Sequence, residues 1–220
     1  MLIKPNFTNS KHVEEGLSED LLSAFKTIVA HLTSDPKMSE EEKQNFRDTP
    51  VRALKGYMEI CRPYSDILKD IEAQLRTGFP VNGKDDARGM VTLGPIKAYS
   101  LCPHHLFQIE YNVYVSYIPK SNCVLGLSKI PRIVKLLAQR PVLQEQFTKD
   151  VADVLFHSKD HDMPSIETHG SAVQTIGKHG CVACRGVKDD SSVTSVTELR
   201  GAYWEPSMEH KFYEALRVKK

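Results

Sequence analysis

Three soft, titratable side chains crowd one short stretch of the chain, "YSLCPHHLFQIEYNVYVSYIP": Cys102, His104 and His105. Thiolate and imidazole are ligands that zinc takes readily. Imidazole is also the side chain that moves protons near neutral pH. A second cluster, "GKHGCVACRGV", adds His179, Cys181, Cys184 and Arg185. Cys102 and His105, three positions apart at a bend before a strand, can converge on one ion. With Cys181 they make two thiolates and one imidazole. That set leaves the fourth position of a tetrahedral Zn²⁺ open to water, the pattern of a catalytic site. His104 and His179 then remain beside the metal as acid–base groups.

The second cluster reads as strand. Side chains on a strand alternate, so His179 and Cys181 are expected on one face and Cys184 on the other, with Arg185 on the Cys181 face if the strand runs on. A blander reading stands beside the metal site. "CVAC" also suits two core cysteines, a redox pair or half of a structural zinc site. A second CxxC is absent, and so are the His-x-Glu and Pro-Cys-x-x-Cys of zinc deaminases. Cys61 and Cys123 read as small core residues.

Other polar groups ask for a reason. "LGLSKIPRI" sets Ser128, Lys129 and Arg132 at a helix start, where backbone N–H groups and cations together suit an anion; a solvated basic turn is the plain alternative. "RPVLQEQF" puts Gln144 and Glu145 at the head of a helix. Metal, histidines and cations together point to hydrolysis of a phosphorylated substrate.

The elements that must position these groups follow from periodicity. "SEDLLSAFKTIVAHL" carries Leu21, Leu22, Phe25, Ile28, Val29 and Leu32 at helical spacing. "MSEEEKQNF" opens with a capping box, Ser39 to Glu42. The helix restarts at "DTP", where Asp48 or Thr49 can cap and Pro50 suits the first turn. "YSDILKDIEAQL" is a further helix, and "NGKDDARG" is a turn. "GMVTLGPIKAYSL" is strand-like, and "FQIEYNVYVSYIP" alternates Phe107, Ile109, Tyr111, Val113, Val115 and Tyr117 on one face. "SKIPRIVKLLAQ" and "PVLQEQFTKDVADVLF" predict two helices broken at "RP". "SAVQTIGKHGCVAC" and "SSVTSVTELRGAYW" predict two more strands, and "SMEHKFYEALRVKK" a closing helix. The order is α+β, with N-terminal helices and a four-stranded antiparallel sheet that takes two helices between its strand pairs.

Composition bounds the function. The chain has 220 residues, 40% hydrophobic and 26% charged, enough for a substantial core. A formal net charge of +1 offers neither nucleic acid nor membrane an electrostatic partner. "MLIKPNFTNSKHVEEG" has no apolar h-region and no run reaches membrane-span length, so no signal peptide and no span are expected. Five cysteines without a secretion signal predict reduced thiols in a cytoplasm.

At these residues the chain resembles zinc-dependent GTP cyclohydrolase I. The stretches that carry the resemblance are "DTPVRALKGYMEI", "YSLCPHHLFQIEYNVYVSYIP", "VLGLSKIPRIVKLLAQRPVLQEQFTKDVADVL", "KHGCVACRGV", "SSVTSVTELRGAY" and "EHKFYEAL". They run from about Asp48 to the C-terminus, and the part before it matches poorly. The resemblance implies a helical region over 1–85 and a catalytic domain over 86–220 with the tunnelling fold, in which sheets of five subunits close a barrel and two pentamers stack as a decamer. It implies conversion of GTP and water to formate and 7,8-dihydroneopterin triphosphate. Cys102, His105 and Cys181 match zinc ligands, His104 and His179 the proton-moving groups, and Glu145 the reader of the guanine edge, with Gln144 beside it. Ser128 matches a sugar or phosphate contact. Lys129, Arg132 and Arg185 match triphosphate ligands, and Arg52 one from a neighbouring subunit. Pro103 and Cys184 depart from the commoner family residues. The alternatives are a nitrile reductase of the same fold, which uses a cysteine nucleophile and NADPH without zinc, and a non-catalytic purine- or pterin-binding homologue.

Overall fold

The computed structural model describes residues 18–76, 78–80, 89–120, 123–157 and 162–217. The stretch 1–16, most of "NGKDDARG" and His161 lie outside these residues, as does the side chain of Cys123. The chain divides into two compact units between Pro63 and Tyr64. The expected catalytic region, 86–220, falls wholly within the second.

The first unit holds α1 (Glu19–Leu32), α2 (Glu40–Gln44) and α3 (Thr49–Ile60). The capping box forms: the Ser39 side chain accepts from Glu42 N–H, and the Glu42 carboxylate accepts from Ser39 N–H. Pro50 sits in the first turn of α3, where its missing N–H costs nothing. α1 packs on α3, with the Phe25 and Tyr57 ring centroids 5.6 Å apart.

The second unit begins with α4 (Tyr64–Leu75) and the short β1 (Gly78–Pro80). β2 (Val91–Leu101), β3 (Gln108–Pro119) and the short β4 (Cys123–Leu125) follow. Then come α5 (Lys129–Ala138), α6 (Gln144–Val154), β5 (Thr168–His179), the single helical turn α7 (Gly180–Ala183) and β6 (Thr194–Gly201). A 3-10 turn over Ala202–Trp204 leads into α8 (Pro206–Arg217). The main sheet has the order β2-β3-β5-β6, antiparallel throughout, and β1 pairs with β4 as a separate two-stranded ribbon. The α+β expectation holds, with α5 and α6 inserted between the two halves of the sheet.

β3 supplies the centre. Ile109, Tyr111, Val113, Val115 and Tyr117 are buried in one cluster with Ile130, Ile133, Leu137 of α5 and Phe147, Val151 of α6. Phe107, expected on that face, is exposed because β3 starts one residue later. A smaller cluster of Ile118, Ala172, Tyr203 and Phe212 packs α8 and the 3-10 turn together. α6 is tied down by buried charge: Arg140 donates to Asp150, and Arg200 Nε donates to Asp153 at 2.8 Å. Removing one partner strands the other charge in the interior. Asp150→Ala should therefore lower stability by about 3 kcal/mol, read as a shift in the urea midpoint at unchanged slope.

Candidate active site

The site lies at one end of the main sheet, where β2 and β5 stop on either side of β3. β2 ends at Leu101, and the chain turns through residues 102–107 before pairing resumes at Gln108. Two backbone bonds close this turn, Cys102 N–H to Phe107 O and Leu106 N–H to Cys102 O, both 2.8 Å. Leu106 takes φ 57°, the left-handed conformation that so tight a return demands. Cys102 is thereby held at the sheet end with His104 and His105 on the turn. On β5, His179 stands opposite Ile109 of β3.

The strand expected through Cys184 stops at His179. Gly180 begins a helical turn instead, and Cys184 N–H donates to Gly180 O at 3.0 Å. A side chain at Gly180 would meet Gln108 O at 2.8 Å, so this turn beside the start of β3 has room only for glycine. Strand alternation thus does not govern Cys181, Cys184 and Arg185. Cys181 turns inward. Cys184 is exposed and its thiol donates to Gly180 O at 2.7 Å.

The N-terminus of α6 closes the site. Val142 N–H donates to Leu101 O at 3.1 Å and Ser100 Oγ donates to Arg140 O at 2.7 Å. These bonds seat residues 142–145 beside Cys102. Together Cys102, Pro103, His104, Ile109, Val142, Leu143, Gln144, Glu145, His179, Cys181, Val182 and Thr194 line a cavity of about 250 Å³.

Ligand atoms of Cys102, His105 and Cys181 lie within 4.8 Å of one another, the one such group found among the described residues. Two thiols and an imidazole at this spacing are a donor set that zinc takes, with one position left over. The Cys181 thiol is pushed up, first by burial and then by the Cys102 thiol facing it. Zinc takes cysteine as the thiolate, so binding there would displace the thiol protons. His104 Nδ1 lies 3.7 Å from Cys102 Sγ. Burial holds His179 below the usual imidazole range, and Glu145 opposes that.

Ser128, Lys129 and Arg132 are not brought to this cavity. They stand at the far end of α5, where Lys129 Nζ donates to Gln74 O and Arg132 lines a groove with Asp70 and Gln74. Arg52 is exposed on α3 and pairs with Asp48 at 3.5 Å. Arg185 is exposed just beyond α7.

The sequence reading missed Tyr111 as anything but a core residue. It is fully buried, stacks on Phe147 at 4.8 Å and meets the His179 ring edge-on. Its hydroxyl has no hydrogen-bond partner among the described residues. Burial raises its pKa first, and the neighbouring Cys102 and Glu145 raise it further. An unpaired buried hydroxyl costs roughly 1–3 kcal/mol. Tyr111→Phe should leave the metal-free protein as stable or up to about 1 kcal/mol more stable. A thermal melt that drops sharply would reveal a partner for the hydroxyl.

The family model for GTP cyclohydrolase I matches residues 22–217. The chain belongs to the GTP cyclohydrolase I family. Among its relatives, each called GTP cyclohydrolase 1, that of Bacillus cytotoxicus is 33% identical over 183 residues, 83% of this chain and 87% of that protein. That of Brevibacillus brevis is 32% identical over 185 residues, 84% of this chain and 89% of that protein. That of Rickettsia bellii is 30% identical over 193 residues, 88% of this chain and 91% of that protein. The match to the GTP cyclohydrolase I family extends into α1, well ahead of Asp48, where the sequence motifs begin. No helix among the described residues is long and apolar enough to cross a membrane.

Proposed function

We propose that this chain hydrolyses GTP at C8 of the guanine, giving formate and 7,8-dihydroneopterin triphosphate, with zinc held by Cys102, His105 and Cys181. The observation that carries the reading is the meeting of those three side chains with His104, His179 and Glu145 at one sheet end in a member of this family. Zinc bound there supplies a Lewis acid that brings the pKa of water down to about 7. His104 and His179 hold and move the protons that ring opening and formate release require. Glu145 accepts from guanine N1–H and the 2-amino group, a pair of donors that adenine lacks.

The cavity takes the base rather than the whole nucleotide. At about 250 Å³ it is smaller than the roughly 300–1,000 Å³ of pockets that enclose a full ligand. It is lined by no lysine or arginine among the described residues, so it offers the triphosphate no countercharge. Lys129 and Arg132 sit in the first turn of a ten-residue helix whose other end leads to the rim, so roughly 14 Å and 9 Å of helix separate them from that end. We assign Ser128, Lys129, Arg132 and Arg52 to the sugar and triphosphate bound at a neighbouring subunit's cavity, and Arg185 to the phosphates beside its own. A decamer of two stacked pentamers supplies those neighbours. The compartment proposed is the cytoplasm, where reduced thiols and GTP coexist.

The test is zinc-loaded protein with GTP, assayed for formate and for the fluorescence of the oxidised pterin product. Turnover with no formate would overturn the reading, and a metal-free protein that consumes NADPH would favour the nitrile reductase. Glu145→Gln puts a donor against a donor. Losing a hydrogen bond to a charged partner costs roughly 1.5–3 kcal/mol, so turnover should fall at least about tenfold with zinc content intact.

A further inference from the structure

Gln144 looks like a base contact from its place beside Glu145, yet its amide is already engaged on every side. Nε2 lies 2.9 Å from Thr194 O, 3.1 Å from Thr175 O and 3.1 Å from Thr175 Oγ1. Oε1 lies 2.8 Å from His179 Nε2. Gln144 is 2% exposed, and Thr148 and Thr175 are fully buried.

Two of the three atoms facing Nε2 are backbone carbonyl oxygens, which only accept, so the NH₂ end of the amide must face them. A flipped amide would set oxygen against two carbonyl oxygens in a buried site. The hydroxyls agree. Thr148 Oγ1 is 2.7 Å from Gln144 O, also a pure acceptor, and so spends its one proton there. The Thr148–Thr175 contact of 2.7 Å must then be donated by Thr175. Thr175 Oγ1 is left as an acceptor toward Gln144 Nε2, sharing with Thr175 O one of the two amide protons while Thr194 O takes the other. The result is a closed, directed ring: Gln144 Nε2 to Thr175, Thr175 to Thr148, Thr148 to the Gln144 backbone carbonyl. Each member fixes the next, and the ring points Gln144 Oε1, an acceptor only, at His179. Gly177 leaves the room for this, since a side chain there would meet Oε1 at 2.7 Å.

We propose that Gln144 is a positioning residue that fixes His179 as the Nε2–H tautomer, making Nδ1 the atom that exchanges protons with the reaction, and that it does not itself read the base. This deepens the proposed GTP hydrolysis and rests on it for the identity of the reaction. Gln144 acts through His179, and the carboxylate of Glu145 is left to recognise guanine alone. Outer partners that orient a functional imidazole typically matter by about 10–100-fold.

The experiment is long-range ¹H–¹⁵N correlation on imidazole-labelled, full-length, zinc-loaded protein in mildly basic buffer, where His179 is neutral, followed by kinetics of Gln144→Met and Gln144→Glu. His179 should show a pyrrole-like Nε2 and a pyridine-like Nδ1. Gln144→Met, which removes the acceptor at similar length, should give a mixture of tautomers. It should lower kcat about 10–100-fold while KM for GTP stays within about twofold. Gln144→Glu keeps an acceptor toward His179 and should keep the Nε2–H tautomer, at a cost in stability because its second oxygen faces Thr175 O and Thr194 O and must carry a proton there. A pyrrole-like Nδ1 in the unmutated protein overturns the proposal before any variant is made. A pure Nε2–H signal in Gln144→Met overturns it as well, and so does a rise in KM with kcat unchanged, the mark of a direct base contact. If the protein released no formate from GTP, the proposed function would fall while the tautomer measurement still decided what Gln144 does.

Discussion

Cys181→Ser, Cys102→Ser and His105→Ala should each lose zinc and bring turnover to background, while Cys184→Ser keeps its metal and most of its activity. The three ligand atoms share one small volume, so removing any of them leaves only two protein donors, too few for a tightly held ion. Cys184 is excluded for a reason the sequence did not supply. It caps a helical turn with its thiol donating to Gly180 O, and it is not in the group of ligand atoms formed by Cys102, His105 and Cys181. Elemental analysis of dialysed protein gives one zinc per chain or none. A melt gives a second reading, because a ligand that binds only the native state stabilises it by about 2.7 kcal/mol at a free concentration a hundredfold above Kd. That zinc-dependent rise should vanish in the three ligand variants and persist in Cys184→Ser. Zinc lost from Cys184→Ser but held by Cys181→Ser would reverse the ligand assignment.

What the sequence made legible was local. The Ser39–Glu42 capping box is written in four residues and forms as read. The alternation over 109–117 is a property of one strand, and the sheet buries the face it marks. The pairing of Cys102 with Cys181 was legible because thiols and histidines are chemically conspicuous wherever they stand. Contacts between distant segments left no such mark. β5 stops at His179, where Gly180 begins a helical turn packed on the Gln108 backbone, and nothing in "HGCVAC" records Gln108. β1 and β4, three residues each, are too short to show a period of two. Gln144 heads an amphipathic helix and reads as a pocket residue; only Thr175 and Thr194, on two other strands, reveal that its amide is spent. Tyr111 is one of five residues on a buried strand face, and its unpaired hydroxyl appears only once Cys102 and Glu145 are seen nearby.

An inactive Arg132→Ala protein and an inactive Cys181→Ser protein should regain activity when they are unfolded and refolded together. Arg132 is exposed at the start of α5 and lines a groove with Asp70, Gln74 and Lys135, while Cys181 lines the cavity at the sheet end. Within one chain the groove lined by Arg132 and the cavity lined by Cys181 share no residue, so on the proposed assignment a triphosphate held by Arg132 belongs to a base held by another chain's cavity. Arg132 is exposed and Cys181 is only partly buried at the edge of the core, so each parent should fold and assemble. In a mixed ring, a site is complete when the Arg132 side comes from a Cys181→Ser chain and the zinc side from an Arg132→Ala chain. At equal mixing about a quarter of the sites meet both conditions, so activity should climb well above the sum of the parents and stop short of the unmutated protein. The gain should peak at equimolar ratio and fall away on either side, because completeness depends on the product of the two fractions. Arg52→Ala, carried through the same experiment, should behave alike if its guanidinium also crosses to a neighbour. Mixed oligomers, verified by mass, that stay inactive at every ratio would place Arg132 on its own chain's substrate or off the substrate altogether.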